Sequence, residues 1–246
     1  MTKKHNFILI SLIFAIFFSL IISSCGKKNK NELLTVEEAF REAMVKFEKG
    51  KYLDASDKLN LVILNYSGSS IIDSAQYYLA ESHFKMKEYL IAASEYQRLV
   101  FQFPYSVLCD DAKYKIGLSY FLLSPKYGLD QEYTRKSVEE FQAFTEEYPN
   151  SDLVPEVLDK IFAARTKLAK KLYKSGELYY RMQDYESSVI YLNEVLDNYY
   201  DTEYAPKASL KKVPICIKPV LFIHKSTFFF RAVFWVSNSP GFMESF

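Results

Sequence analysis

Three segments of the chain superpose on one another at a step of 37 residues, and that step leaves few architectures open. Ala43, Ala80 and Gly117 keep it, as do Phe47, Phe84 and Phe121. Tyr52 pairs with Tyr89, Ala55 with Ala92, and Tyr66 with Phe103 at the same spacing. A fourth segment matches the second at a step of 96, aligning Gly176 with Ala80, Tyr180 with Phe84, Tyr185 with Tyr89, and Tyr199 with Phe103. A repeat of this size is one supersecondary unit that cannot bury its apolar faces alone, so copies must stack on one another.

Each unit reads as a helix hairpin. The small residue (Ala43, Ala80, Gly117, Gly176) lets the first helix approach the second, and the aromatic four positions later lies on the same face one turn on. Turns are expected at Lys49-Gly50-Lys51, Met86-Lys87 and Gln183-Asp184, where polar residues break the apolar period. The second helix carries a stripe such as Leu59, Val62 and Ile63 and ends at Asn65-Tyr66-Ser67-Gly68, Phe103-Pro104-Tyr105-Ser106, Tyr148-Pro149-Asn150-Ser151 or Tyr199-Tyr200-Asp201-Thr202. Pro there stops the helix, and Ser, Asp or Thr is placed to cap the next. The pattern resembles the tetratricopeptide repeat. The expected fold is all-α, a tetratricopeptide-type α-solenoid of helix hairpins whose stacking makes a groove.

The third unit is expanded. The segment Ser124-Pro125-Lys126-Tyr127-Gly128-Leu129-Asp130 enters before a second helix expected from about Thr134, with Phe141 and Phe144 inward. After Pro149 a helical pattern runs from about Asp152 to Arg181, too long for one repeat helix, with Pro155 tolerated in its first turn. It predicts a long helix joining two parts of the array. The units fall at about 36–70, 71–107, 108–151 and 152–203 within an array spanning 36–210.

Composition narrows the function classes. Without residues 1–24, 29 Lys and Arg stand against 30 acids, a net charge of −1, which lacks the basic excess of a nucleic-acid binder. His5, His83 and His224 are scattered, with no His-Glu pair at metal spacing, no Cys-x-x-Cys and no Gly-rich phosphate loop. No catalytic residue, metal site or cofactor is expected, and an enzyme is disfavoured. Cys109 is expected to be a buried thiol.

The N-terminus combines Lys3-Lys4-His5, an apolar run from Phe7 to Ile22, and Ile22-Ser23-Ser24-Cys25-Gly26. A basic region, an apolar core and small residues before a cleavage point make an export signal. The last five residues resemble the bacterial lipobox, which implies cleavage after 1–24, lipidation of Cys25, and a tether over 25–35. An uncleaved anchor helix is the alternative, although the apolar stretch is short for a span of about 20 residues. By the sorting rule of Gram-negative lipoproteins, Gly26 implies the outer membrane.

The lipobox, the expanded third unit, the segment from Phe141 through Ser151, Leu168-Ala169-Lys170-Lys171 and Gly176-Glu177-Leu178-Tyr179-Tyr180 together resemble the BamD family over about Cys25 to Leu210. That resemblance implies a non-enzymatic scaffold, lipid-anchored on the periplasmic face of the outer membrane. Its partners would be a BamA-like β-barrel assembly protein, other assembly lipoproteins, and unfolded outer-membrane proteins. An envelope or division coordinator with the same repeats is the alternative. A SusD-like nutrient-binding lipoprotein would need a much longer chain.

Two surfaces are candidates. The repeat register places Phe40, Met44 and Phe47, then Tyr77, Glu81 and Phe84, then Tyr114, Leu118 and Phe121 toward the groove, where aromatic rings offer contact area to an extended peptide. The competing reading is inter-helix core. Lys160, Lys167, Lys171 and Lys174 form a stripe on the long helix, flanked by Val157, Ile161, Leu168 and Leu172, and suit an acidic partner surface or anionic headgroups. Its counter-reading is a solvated face neutralised by Glu139, Glu140, Glu146 and Glu147 of the preceding helix.

Residues 211–246 break the pattern, with seven Phe, no Tyr, Pro214, Pro219 and the run Phe228-Phe229-Phe230. They are expected to be an atypical end, as from a shifted reading frame, with a membrane-touching tail as the alternative.

Overall fold

A computed structural model describes residues 34–215. Cys25, the signal 1–24, most of the tether and the tail beyond Ile215 lie outside them. The chain divides between Thr35 and Val36, and every helix described below belongs to the second unit. The helices are α1 Val36–Glu48, α2 Tyr52–Asn65, α3 Ile72–Lys85, α4 Tyr89–Gln102, α5 Cys109–Leu123, α6 Glu132–Glu147, α7 Val154–Arg181 and α8 Tyr185–Asn198, followed by α9 over 204–215. No strand occurs among the described residues. Each helix packs mainly on the ones before and after it, as stacked hairpins require.

The small-residue positions are close-packed as expected. Ala43 and Ala80 are fully buried. A Cβ on Gly117 would lie 2.5 Å from the Phe141 ring, and one on Gly176 would lie 3.0 Å from the Leu192 side chain. Phe141 and Phe144 are wholly buried against Tyr114 and Val157. Each such side chain contributes roughly 1.5–3 kcal/mol relative to exposure.

The hairpin turns repeat in detail. Gly50, Lys87 and Gln183 all adopt a left-handed backbone, with φ of 71°, 64° and 64°. This is the residue that reverses the chain after a helix, and glycine takes it without steric cost. The equivalent position of the third hairpin, Ser124, is extended at φ −61° and ψ 118°, and there the insertion begins. The helix after it starts at Glu132, two residues before the expected point.

The serines between units act differently from the expected N-caps. Ser69, Ser106 and Ser151 accept the backbone N–H two residues on with the side chain and the N–H three residues on with the carbonyl. They shape the turn before the helix, and the helices they precede have no side-chain cap. In the first unit this residue is Ser69 rather than Ser67.

α7 serves two units at once. Its first half repeats α5 at a step of 45, aligning Val154 with Cys109, Glu156 with Asp111 and Lys160 with Lys115. Its second half repeats α5 at a step of 59 through Gly176 and Gly117. The two registers differ by 14 residues, about four helical turns, so both present nearly the same face. Val157 buries against α5 and α6, while Ala169 and Gly176 belong to the packing with α8.

The helix α9 continues through the expected boundary at Leu210. Ile215 is buried in one cluster with Ala169, Leu192, Val195, Tyr204 and Ala208, so residues 211–215 complete the packing of the preceding hairpin.

Candidate functional site

The groove positions of successive first helices fall into a recurring arrangement. The residue six places after the start of the first helix covers the aromatic of the previous unit: Tyr78 packs edge-on to Phe47 with centroids 5.3 Å apart, and Lys115 Nζ sits 4.9 Å above Phe84. Lys160 Nζ lies 5.6 Å above Phe121 and Lys211 Nζ 5.1 Å above Tyr180. Cations over ring faces are attracted by the ring quadrupole. That Lys211 keeps this position places it in the repeat, beyond the point where the sequence pattern was read as ending.

A second contact joins the same helices. Tyr77 donates its hydroxyl hydrogen to Asp111, and Tyr114 donates to Glu156 Oε1 at 2.7 Å. The two acids occupy equivalent positions. At the first interface the pair is Phe40 and Ser74, which cannot form this bond, and Phe40 packs on Tyr78 instead. Burial, with the neighbouring carboxylates, pushes the hydroxyls of Tyr77 and Tyr114 well above the ordinary tyrosine range.

These contacts sort the nine groove candidates. Phe40, Met44, Phe47, Tyr77, Phe84, Leu118 and Phe121 are partly exposed, whereas Glu81 and Tyr114 are each 6 % exposed. The Glu81 carboxylate is 2.7 Å from Lys115 Nζ and accepts the hydroxyl of buried Tyr96. Burying a carboxyl group costs free energy unless it is paired and hydrogen-bonded, as Glu81 is here. Tyr114 packs on Phe141 and Phe144. Both side chains are committed to inter-helix packing.

The lysines of α7 lie over the third unit's insertion. Lys167 Nζ donates to Ser124 Oγ at 2.7 Å, and Lys171 Nζ donates to the Leu129 carbonyl at 2.8 Å. Lys170 sits 4.6 Å above Tyr127. Burial holds Lys167 below the usual lysine range. Inside the insertion, buried Gln131 donates its amide to the carbonyls of Lys126, Leu129 and Asp130. Lys160 pairs with Glu156 at 3.6 Å and Lys174 with Glu177 at 2.7 Å.

Two of the acids of α6 are engaged away from this stripe. Glu140 and Glu147 instead flank Lys113 of α5, at 3.9 and 3.5 Å. Lys115, Gln131 and Lys211 escaped the sequence reading. The shared step of Lys115 and Lys160 was the available signal. Gln131 had none, because its role depends on how the insertion closes.

Stacked hairpins with ring-lined first helices define a tetratricopeptide-type scaffold. No described helix is long and apolar enough to cross a membrane. Residues 33–214 match the model of the YfiO family, described as outer membrane lipoprotein. The chain belongs to this family, the BamD family, which gives it a role in outer-membrane assembly. The comparison with curated proteins returns no match.

Proposed function

We propose that the chain is a non-enzymatic scaffold of the outer-membrane β-barrel assembly machinery, anchored through a lipidated Cys25 at the periplasmic face. The family match over 33–214 carries this reading. In it, unfolded outer-membrane proteins contact the partly exposed rings of the first three units, chiefly Phe47, Phe84 and Phe121. Each ring already has two neighbours, Tyr52 and Tyr78 for Phe47, Tyr89 and Lys115 for Phe84, and Lys160 and Lys167 for Phe121. The remaining exposed ring surface is what an extended apolar peptide would meet. A BamA-like partner docks on the long-helix side, where Lys171 and Lys174 offer positive charge to an acidic surface.

Co-purification of the lipidated chain tests the first part. A large β-barrel protein should accompany it, and recovery of only peptidoglycan or division proteins would replace this reading with that of an envelope coordinator. Charge reversal is best placed at Lys171 and Lys174, because the Lys167 bond to Ser124 is part-buried whereas the Lys171 bond to the Leu129 carbonyl lies at the surface. The double change to Glu should weaken partner pull-down while helical content stays constant. Unchanged pull-down at both low and high salt would remove the stripe from the proposal.

A further inference from the structure

The three most exposed large apolar side chains among the described residues are neighbours: Tyr105 at 99 %, Val107 at 90 % and Phe101 at 87 % exposed. They sit at the end of α4 and in the turn leading to α5. Val36, Tyr66 and Phe103 pack against a single core cluster. The first residue of α1 therefore lies on the same edge of the array as the ends of α2 and α4. The opposite edge holds the turns at Gly50 and Lys87, one helix length or about 20 Å away.

We propose that this edge, led by Tyr105, Val107 and Phe101, rests on the lipid surface that holds the anchor. The inference depends on lipidation of Cys25 as read above. Nine residues lie between Cys25 and Thr35, and the ten peptide steps reach at most about 35 Å when fully extended. The start of α1 is thus held within that reach of the membrane, and it lies on the edge that presents the apolar residues. A Tyr beside a Phe and a Val is interfacial chemistry, with rings in the acyl boundary and a hydroxyl among headgroups.

The folded edge is itself acidic: Glu37, Asp73 and Asp110 stand in the first turns of α1, α3 and α5, and no Lys or Arg occurs between Leu99 and Ala112. The tether from Cys25 carries the opposite sign in Lys27, Lys28 and Lys30. The apolar contact is therefore read on zwitterionic lipid, where neither set of charges contributes.

The test replaces the single tryptophan, Trp235, with Phe and places one tryptophan at Tyr105 or, on the opposite edge, at exposed Lys85. The lipidated full chain is reconstituted on phosphatidylethanolamine–phosphatidylcholine vesicles containing brominated lipid. The Tyr105→Trp chain should lose on the order of half its fluorescence, as expected for a ring lying 5–10 Å deep, while Lys85→Trp changes little. Equal quenching at the two sites, or none at Tyr105→Trp, would overturn the proposal, including the case in which another protein covers this edge. Flotation of Cys25→Ser is scored separately. If that variant floats as well as the parent, the anchoring reading fails, and the quenching comparison still decides the edge.

Discussion

Tyr114 of α5 and Glu156 of α7 share a 2.7 Å hydrogen bond that repeats, one unit later, the bond from Tyr77 to Asp111. The two bonds tie consecutive first helices across the seams of the stack. Tyr114→Phe keeps the ring packed on Phe141 and Phe144 and removes only the hydroxyl. It should cost about 1 kcal/mol, read from the urea midpoint, because half-exposed Glu156 regains water. Tyr114→Ala also empties the ring site and should cost about 3–5 kcal/mol.

Gly117 and Gly176 should respond differently to alanine. The added Cβ at Gly117 meets the wholly buried Phe141 ring at 2.5 Å, so the ring must shift within the core. Gly117→Ala should destabilise by about 1–3 kcal/mol. At Gly176 the contact is 3.0 Å to Leu192, and the helix gains about 1 kcal/mol of propensity, so the net change should be much smaller. Parallel denaturation curves compare the two.

Lys87 and Gln183 take the left-handed turn conformation that Gly50 takes freely. Replacing either with Gly should stabilise by roughly 0.5–1 kcal/mol, since the steric cost at Cβ outweighs the entropy gained by the unfolded chain. A lower thermal midpoint for Lys87→Gly would contradict this.

The pair Arg165 and Asp201 fastens α7 to the end of α8, with 2.6 Å between Nη2 and Oδ1 and a second bond from Nη2 to the Asn198 carbonyl. The guanidinium holds the Asp201 carboxyl below the ordinary range. A carboxyl depressed on folding stabilises fully above its unfolded value of about 3.9 and loses that contribution as pH falls through the folded value. The stability gap between the parent and Asp201→Asn should therefore be widest near neutrality and shrink once the pH falls below the ordinary carboxylate range. A gap that grows on acidification would have the wrong sign.

Ile215 closes the packing of the fourth hairpin. A chain stopped after Leu210 exposes the faces of Ala169 and Leu192 that Ile215 and its neighbours cover. Amides of α8 should then exchange far faster than in a chain stopped after Ile215.

Most of the fold was legible because repetition multiplies weak signals. Ala43, Ala80 and Gly117 say little singly, and at a constant step they fix a close approach. The expanded unit was visible for the same reason. Less was legible in the groove, because a first-helix position specifies a direction and not what lies opposite. Glu81 shares its register with Met44 and Leu118, and only the arrival of Lys115 and Tyr96 from two other helices makes it internal. The helix α9 runs past Leu210 although composition changes sharply there, because the packing that holds Lys211 and Ile215 is three-dimensional.

The four-turn interval within α7 carries a mechanical consequence. Where other units meet at a bent connection, this junction is one unbroken rod, so the seam between the third and fourth units has no hinge. A load placed on α8 would pass along α7 to the helices it lies on, α5 and α6, and to the Ser124–Asp130 insertion that its lysines grip.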